Sequence, residues 1–202
     1  YIGPIDGHDI QLMNEVFSKA QEINGPVIIH TVTHKGKGYE FAEKNPNKFH
    51  GVSPFDLESG EPKVSHKNSY SKAFGESLAK IAREDKRIVA ITAATPAPAG
   101  LNYFRQEESL KEQYVDVGIA EEHAVALASG IASQGGKPVL SILSSFVQRT
   151  YDQLSQDLAI NNNPALIMVS WAGITGGDVT HLGIFDIPLI LSLIHISEPT
   201  RP

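Results

Sequence analysis

The chain has 202 residues, of which 41% are hydrophobic and 20% are charged, and its formal net charge is −6. These values are typical of a globular α/β protein with one complete domain and part of another. The negative charge argues against nucleic acid or an anionic membrane surface as a partner. The absence of cysteine excludes disulfides and thiolate metal sites, and it favours a reducing, cytoplasmic location. No apolar run is long enough to span a membrane, and no signal-peptide pattern opens the chain.

The start of the chain predicts one helix and one strand. A turn-rich opening ends at Asp9, which is suited to cap a helix that runs to about Asn24. That helix carries apolar residues at helical spacing, namely Ile10, Met13, Val16, Phe17 and Ala20. Gly25-Pro26 ends the helix, and residues 27–32 predict a buried strand. A helix followed by a strand is half of a parallel-sheet unit, and the first residue is Tyr1, so we expect a segment of a longer protein.

Residues 33–68 form a long polar stretch that we interpret as both a functional loop and a linker between domains. Loops of this length without secondary structure are uncommon inside compact domains. Within the stretch, Lys35-Gly36-Lys37-Gly38 could approach a phosphate through glycine backbone and lysine charge. A solvated basic turn is the more frequent explanation of such a motif.

From Ser69 onward the chain alternates helices with strands, which predicts a doubly wound parallel sheet. The first of these helices has an apolar stripe that consists of Phe74, Leu78, Ile81 and Ala82. Buried strands are predicted at residues 87–92, 114–117, 138–143 and 165–169. Helices are predicted near residues 69–84, 104–112, 120–134 and 151–160. Residues 191–202 abandon the alternation, and we expect them to be a non-native tail.

Three loops follow the carboxyl ends of predicted strands, at the edge where open α/β sheets place their ligands. They cover residues 118–121, 144–149 and 171–186. Together they offer a mixture of carboxylate, aromatic and cationic side chains, namely Glu121, Phe146, Arg149, Asp178 and His181. The chain contains no nucleophile elbow, Walker loop or Rossmann glycine fingerprint, and no histidine pair at convincing zinc spacing.

The first of these loops joins a strand to a helix whose first turn contains Glu121, Glu122 and His123. Acidic residues at a helix N-terminus suit the helix dipole whatever the function, and we assign Glu122 to that structural role. His123 lies two residues beyond Glu121, points along a different face of the helix, and is also expected to be structural. Position alone makes Glu121 a candidate functional acid, and its choice over Glu122 rests on the family resemblance described next.

Seven blocks of the sequence resemble the 1-deoxy-D-xylulose-5-phosphate synthase family of transketolase-like thiamin-diphosphate enzymes. The blocks are residues 1–9, 35–40, 49–52, 69–74, 116–125, 145–153 and 178–183. Several of them are specific to this synthase rather than to transketolases at large. The resemblance implies a thiamin-diphosphate-binding fold in four segments. Residues 1–33 are the end of the first cofactor-binding domain, and residues 34–67 are a linker with an active-site loop. Residues 68–190 are an incomplete pyrimidine-binding domain, and residues 191–202 are the tail.

The resemblance also implies roles for the cofactor-binding residues. Glu121 would hold a proton against the ring nitrogen N1′ of the cofactor's aminopyrimidine, and Phe146 would stack on that ring. Tyr39 would contribute to the same cofactor site. An ordinary packing role in the core remains the alternative for Phe146.

The same resemblance implies that the substrate is held by Arg149, Asp178, His50 and His181. Arg149 would bind the substrate phosphate, for which a guanidinium is well shaped, although a surface ion pair is its alternative. His50 and His181 would hold and protonate the substrate near the reacting carbon, beside Asp178. A hydrogen-bonded structural role remains open for each of these three residues.

The expected reaction joins pyruvate, after decarboxylation, to D-glyceraldehyde 3-phosphate in a homodimer that uses thiamin diphosphate and Mg²⁺. The metal motif is expected upstream of this chain, so no metal ligand is assigned here, and this segment alone is expected to be inactive. Family members often carry an arginine for the substrate phosphate where this chain has Ser170-Trp171-Ala172. The alternatives are a transketolase, a pyruvate dehydrogenase-type beta subunit, or a non-catalytic interaction protein on the same fold.

Overall fold

A computed structural model describes residues 1–63, 69–173 and 180–197, with side chains as far as Leu193. The chain divides into two units, whose boundary lies between Lys67 and Asn68. Within the described residues, no helix combines the length and the apolar character that a bilayer crossing requires.

The first unit begins with two parallel strands joined by a helix. Strand β1 (Ile2–Asp6) pairs with β2 (Ile29–Val32), and α1 (Ile10–Gln21) connects them. The predicted cap is confirmed, because the Asp9 side chain accepts a 2.9 Å hydrogen bond from the Leu12 N–H. The sequence described residues 1–9 only as a turn-rich opening and did not predict β1, whose backbone pairs with β2.

The burial expected for β2 was also wrong. Its four residues are intermediate or exposed, and the side chain of Val32 is 51% exposed. A sheet of two strands with one connecting helix leaves most of its surface to solvent. Apolar composition indicated the strand but not its burial.

The polar stretch after β2 contains regular secondary structure, and its role as a linker between domains stays a prediction. It contains a short helix, α2 (Glu40–Lys44), and a bridge between Phe55 and Pro62. Four aromatic rings pack together with centroids 5.2 to 5.8 Å apart, namely Tyr39, Phe41, Phe49 and Phe55. Isolated aromatic residues in a polar sequence gave no periodic signal, and their clustering explains why the expectation of a loop without secondary structure was wrong.

The second unit contains the predicted parallel sheet. The strands are β3 (Ile88–Thr92), β4 (Tyr114–Asp116), β5 (Lys137–Leu143) and β6 (Leu166–Ser170). Their order is β4-β3-β5-β6, and all pairs are parallel. The α-helices are α3 (Tyr70–Glu84), α4 (Asn102–Gln106), α5 (Glu121–Ser133), α6 (Ser144–Val147), α7 (Tyr151–Gln153) and α8 (Asp186–Ser197). Residues Glu108–Gln113 and Gln148–Thr150 are 3₁₀-helical, and Leu154–Ile160 form a π-helix.

Helices cover both faces of this sheet, which confirms the doubly wound fold. One core cluster combines residues of α3 and the Ala99–Phe104 region with Ile88 and Ala90 of β3. The other combines α5, the π-helix and α8 with Ile91 of the same strand. Because side chains alternate along a strand, the two clusters lie on opposite faces.

Two predictions of burial in this unit were wrong. Ile81 was expected on the buried stripe of α3 but is 54% exposed, since the helix packs through Gly75, Leu78, Ala79 and Ala82. Strand β6 was expected to be buried but lies at the edge of the sheet, and Leu166 is 54% exposed. Only the tertiary arrangement decides which strand is the edge.

Helix α8 runs through part of the segment that the sequence excluded from the fold. It spans Asp186–Ser197, and Leu193 is buried in the second core cluster. No helix was predicted there. The non-native origin of residues 191–202 stays a prediction.

Candidate active site

The candidate site begins at the junction between β4 and α5. After Asp116 the chain turns through Gly118, whose φ of +75° suits glycine, and α5 starts at Glu121. The Glu121 residue is only 2% exposed, whereas Glu122 and His123 face solvent. The junction therefore places one of three neighbouring polar residues inside the protein.

Asp116 fixes the conformation of this junction. Its Oδ1 accepts hydrogen bonds from the Gly118 N–H at 3.0 Å and the Ala94 N–H at 2.8 Å. Ala94 follows β3 and has a φ of +56°, which is uncommon for a residue with a side chain. One carboxylate oxygen thus links the ends of two neighbouring strands just before Glu121.

Arg149 is the charged partner of Glu121. Its Nη1 lies 3.1 Å from Glu121 Oε2, and the two side chains are 50% and 3% exposed respectively. The ion pair joins a buried carboxylate to a guanidinium that reaches solvent. The charge that burial makes costly is therefore compensated from the open side of the site.

Three rings continue the site from Arg149. The guanidinium carbon is 5.8 Å from the centroid of the Phe146 ring, within the range of a cation–π contact. The His181 ring meets Phe146 edge-on with centroids 5.5 Å apart, and Trp171 lies 6.1 Å from His181. The Oγ1 of Thr180 is 2.8 Å from His181 Nδ1, so the imidazole is held by a hydrogen bond as well as by rings.

The predicted site residues fall into three groups: a connected set in the second unit, one residue outside the described part of the chain, and two residues in the first unit. Glu121, Phe146, Arg149 and His181 form one continuous set of contacts in the second unit. Asp178 lies outside the described residues.

His50 and Tyr39 belong to the first unit. The Nδ1 of His50 is 3.0 Å from Lys35 Nζ. Tyr39 lies in the aromatic cluster and donates a hydrogen bond from its hydroxyl to the Leu57 carbonyl. Those contacts give Tyr39 a packing function, and its role at the cofactor stays a prediction.

Among the residues that the structure describes, no group of three or more histidine, aspartate or glutamate side chains could hold a metal ion. Among the described residues that were predicted for the site, Glu121 is the buried carboxylate.

Two protein-family models match the sequence of this chain. The protein-family model of the transketolase pyrimidine-binding domain matches residues 66–194, which include the entire four-stranded sheet. The chain belongs to this family. The model of 1-deoxy-D-xylulose-5-phosphate synthase matches residues 1–33 as well. Both matches confirm the resemblance inferred from the sequence blocks.

Several curated relatives of this pyrimidine-binding chain are 1-deoxy-D-xylulose-5-phosphate synthases. That of Clostridium beijerinckii is 54% identical over 98% of this chain and 32% of its own length. That of Clostridium kluyveri is 52% identical over 96% of the chain and 31% of its own length, and that of Carboxydothermus hydrogenoformans is 50% identical over 93% and 30%. The chain thus spans about a third of the length of the curated relatives it matches.

Sequence reasoning did not assign a role to two contributors to the pyrimidine-binding domain's site. Asp116 could have been found, because an aspartate at the end of a strand and two residues before a glycine is suited to accept local N–H bonds. Trp171 was noted only as a departure from the family pattern, and its ring contact with His181 depends on the fold. The local sequence therefore indicates the role of Asp116 but not the ring contact of Trp171.

Proposed function

We propose that this chain is the pyrimidine-binding part of a 1-deoxy-D-xylulose-5-phosphate synthase. Such an enzyme decarboxylates pyruvate and joins the remaining two-carbon unit to D-glyceraldehyde 3-phosphate, with release of CO2. The observation that carries the proposal is the buried Glu121 at a strand-to-helix junction, in contact with Arg149 and near Phe146. The names of relatives that are 50–54% identical support it.

The residues present fit the aminopyrimidine of thiamin diphosphate. A flat, nitrogen-containing ring needs a buried hydrogen-bonding acid at its edge and an aromatic surface against its face. Glu121 has the burial required for the first role, and Phe146 is an aromatic residue that lies 5.8 Å from the guanidinium of the arginine bonded to Glu121. When bound, thiamin diphosphate supplies the electron sink that pyruvate decarboxylation needs.

Within that site the chain's own residues bind, orient and protonate. Glu121 shares a proton with the ring nitrogen N1′, in a position from which water is excluded. Phe146 orients the ring, and His181, which is hydrogen-bonded to Thr180, faces the substrate.

Arg149 binds the substrate phosphate through its half-exposed guanidinium, which has N–H groups besides the one that Nη1 directs at Glu121. Asp178, His50 and Tyr39 are proposed to complete the site. We also propose the domain boundaries, the homodimer, the cytoplasmic location and Mg²⁺ bound by residues outside this chain, all as expected from the family.

A chimeric enzyme tests the proposal. Residues 66–190 of this chain replace the matching segment of the Clostridium beijerinckii synthase, to which the chain is 54% identical. We expect the chimera to form product from pyruvate and D-glyceraldehyde 3-phosphate. Activity with ketose donors instead would favour a transketolase. A folded chimera that acts on neither set of substrates would favour a non-catalytic protein.

Two neighbouring substitutions in this chimera test the acid. Glu121→Gln should lower kcat by roughly 100-fold or more, since a positioned proton donor contributes on that scale. Glu122→Gln is the matched control, because that side chain is exposed and should leave kcat within about threefold. Equal effects of the two changes would show that the assignment of Glu121 is wrong.

A further inference from the structure

The start of α5 lacks a side-chain cap. Helices commonly begin after a serine, threonine, aspartate or asparagine, whose side chain accepts an N–H bond from the first turn. Ala120 occupies that position here, with φ −148° and ψ 65°, and alanine has no polar side-chain atom. A local cap therefore does not fix the position of Glu121, which is the first residue of α5.

A series of hydrogen bonds leads from Asp116 to this helix start. The Gly118 N–H donates to Asp116 Oδ1 at 3.0 Å, and the Ala120 N–H donates to the Gly118 carbonyl at 2.8 Å. The Ala124 N–H then donates to the Ala120 carbonyl at 3.0 Å, which closes the first turn of the helix. Asp116 is thus connected to the first turn of α5 by consecutive hydrogen bonds.

Asp116 also joins this junction to the neighbouring strand. The same Oδ1 accepts the Ala94 N–H at 2.8 Å, and the Val117 N–H donates to the Thr92 carbonyl at 3.0 Å. Ala94 has a φ of +56°, which is unfavourable for a residue with a Cβ and persists only where the surroundings hold it. The two bonds therefore keep the junction against the end of β3.

The body of α5 is anchored in the core, whereas Asp116 is not. Ala124 and Val125 are fully buried in the second core cluster. Asp116 is exposed and belongs to neither cluster. Replacement of Asp116 should therefore alter the path of residues 117–120 and the first turn of α5, while the packing of the helix body persists.

We propose that Asp116 is a positioning residue for Glu121. Its carboxylate sets the path of the chain into α5 and thereby the place of the Glu121 side chain. Because Glu121 has its role at the cofactor only under the proposed function, the inference rests on that function. An acid must lie within hydrogen-bond reach of the nitrogen that it serves, and a displacement of about 1 Å can lower a rate by roughly 100-fold. Asp116 acts on the reaction only through the backbone that it holds.

Three variants of the chimeric synthase test this role. Asp116→Ala removes the acceptor and should lower kcat by roughly 10- to 100-fold. Asp116→Asn keeps an acceptor oxygen and should leave kcat within about threefold of the unsubstituted chimera. Asp85→Ala is the matched control, because Asp85 also accepts a backbone N–H, that of Arg87 at 3.0 Å, but precedes β3 at the amino end of the same sheet. It should likewise leave kcat within about threefold.

Amide hydrogen exchange of the chimera without cofactor gives a measurement besides activity. In a peptide that covers residues 117–124, Asp116→Ala should exchange roughly fivefold faster than the unsubstituted chimera, because the bonds at the helix start open more often. Asp116→Asn and Asp85→Ala should not differ from the unsubstituted chimera in this peptide.

The outcomes separate the role of Asp116 from the proposed function. An unsubstituted chimera that makes no product would contradict the proposed function, and the exchange comparison would still decide whether Asp116 positions Glu121. With an active chimera, an unchanged kcat in Asp116→Ala would overturn the proposal, as would an equal loss in Asp85→Ala. An Asp116→Asn variant as slow as Asp116→Ala would overturn it too, since charge and not hydrogen bonding would then be the cause.

Discussion

At the scale of single residues, the pair formed by Glu121 and Arg149 is the main electrostatic feature of the site. The carboxylate is buried, and the guanidinium is half exposed. The proposed function gives each group a further partner, namely the ring nitrogen for Glu121 and the substrate phosphate for Arg149. One carboxylate oxygen and the other guanidinium N–H groups remain for those partners.

A double-mutant cycle measures this pair. Glu121→Gln, Arg149→Met and the double variant should give a coupling free energy of about 1 kcal/mol in urea unfolding, since one partner is solvated. The exposed pair of Lys111 and Glu108, at 3.4 Å, is the control and should give a coupling near zero. Equal coupling in the two pairs would mean that burial of Glu121 does not strengthen its contact with Arg149.

Asp116 allows a prediction that separates charge from hydrogen bonding. Asp116→Ala removes the acceptor for the N–H groups of Ala94 and Gly118, and should lower the free energy of unfolding by about 1–2 kcal/mol. Asp116→Asn keeps an acceptor oxygen in place and should cost less than about 0.5 kcal/mol. Urea unfolding of both variants gives the comparison, and similar losses would indicate that charge matters more than the two bonds.

At the scale of elements, the position of α3 depends on two glycines. A Cβ at Gly75 would lie 1.8 Å from the Gly100 carbonyl oxygen, and a Cβ at Gly100 would lie 2.1 Å from the Ser71 carbonyl oxygen. The helix therefore approaches the loop after β3 at backbone-to-backbone distance. This approach turns the face with Leu78 inward and leaves Ile81 in solvent.

Glycine-to-alanine changes in two helices should have opposite signs. Gly75→Ala should destabilise the protein by about 2 kcal/mol or more, because overpacking outweighs the gain in helix propensity. Gly130→Ala in α5 meets nothing within 4 Å and should stabilise by about 0.5–1 kcal/mol. Chemical denaturation distinguishes these outcomes. A stable Gly75→Ala variant would show that α3 can move away from the loop.

At the scale of the whole second unit, ion pairs join its helices and strands. Arg83 at the end of α3 binds Glu107 through two hydrogen bonds of 2.6 and 2.8 Å. Lys137, the first residue of β5, bonds to Asp85 at 2.8 Å. The bonds from Arg87 and Lys137 hold the pKa of the Asp85 carboxyl well below its usual range. These contacts lie at the surface, so they affect the pH dependence of stability more than they add to packing in the hydrophobic core.

The pH dependence of Glu107 follows from its partners. The hydrogen bonds from Arg83, and then from Ser109, lower the pKa of Glu107 from 4.5 to about 2. A lowered pKa means that the carboxylate stabilises the fold above pH 4.5 and that this contribution is lost as the pH falls towards 2. Glu107→Gln should therefore reduce the melting temperature at neutral pH. The difference in melting temperature between the variant and the unsubstituted chain should become smaller as the pH is lowered. Glu108→Gln, in a side chain that is 88% exposed, should show no such change with pH.

The sequence alone determined the order and type of most elements in the second unit. The alternation of apolar strands with helices, the cap at Asp9 and the termination of α5 at Gly135 are local signals, and the structure agrees with them. The same local signals placed Glu121 where a strand end is followed by a helix start, and the family resemblance then selected it over Glu122. Helical and strand periodicity depend on neighbours only a few positions apart.

Only the tertiary structure decided which surfaces and side chains meet. Strand β6 became an edge, Ile81 faced solvent, and Arg149 reached Glu121 across 28 positions of sequence. One cavity is likewise lined by both Ser144 and Asp186, from two different elements. Such contacts depend on how helices and strands pack in three dimensions. A one-dimensional pattern fixes the face that an element can bury but does not specify the partner against which it is buried.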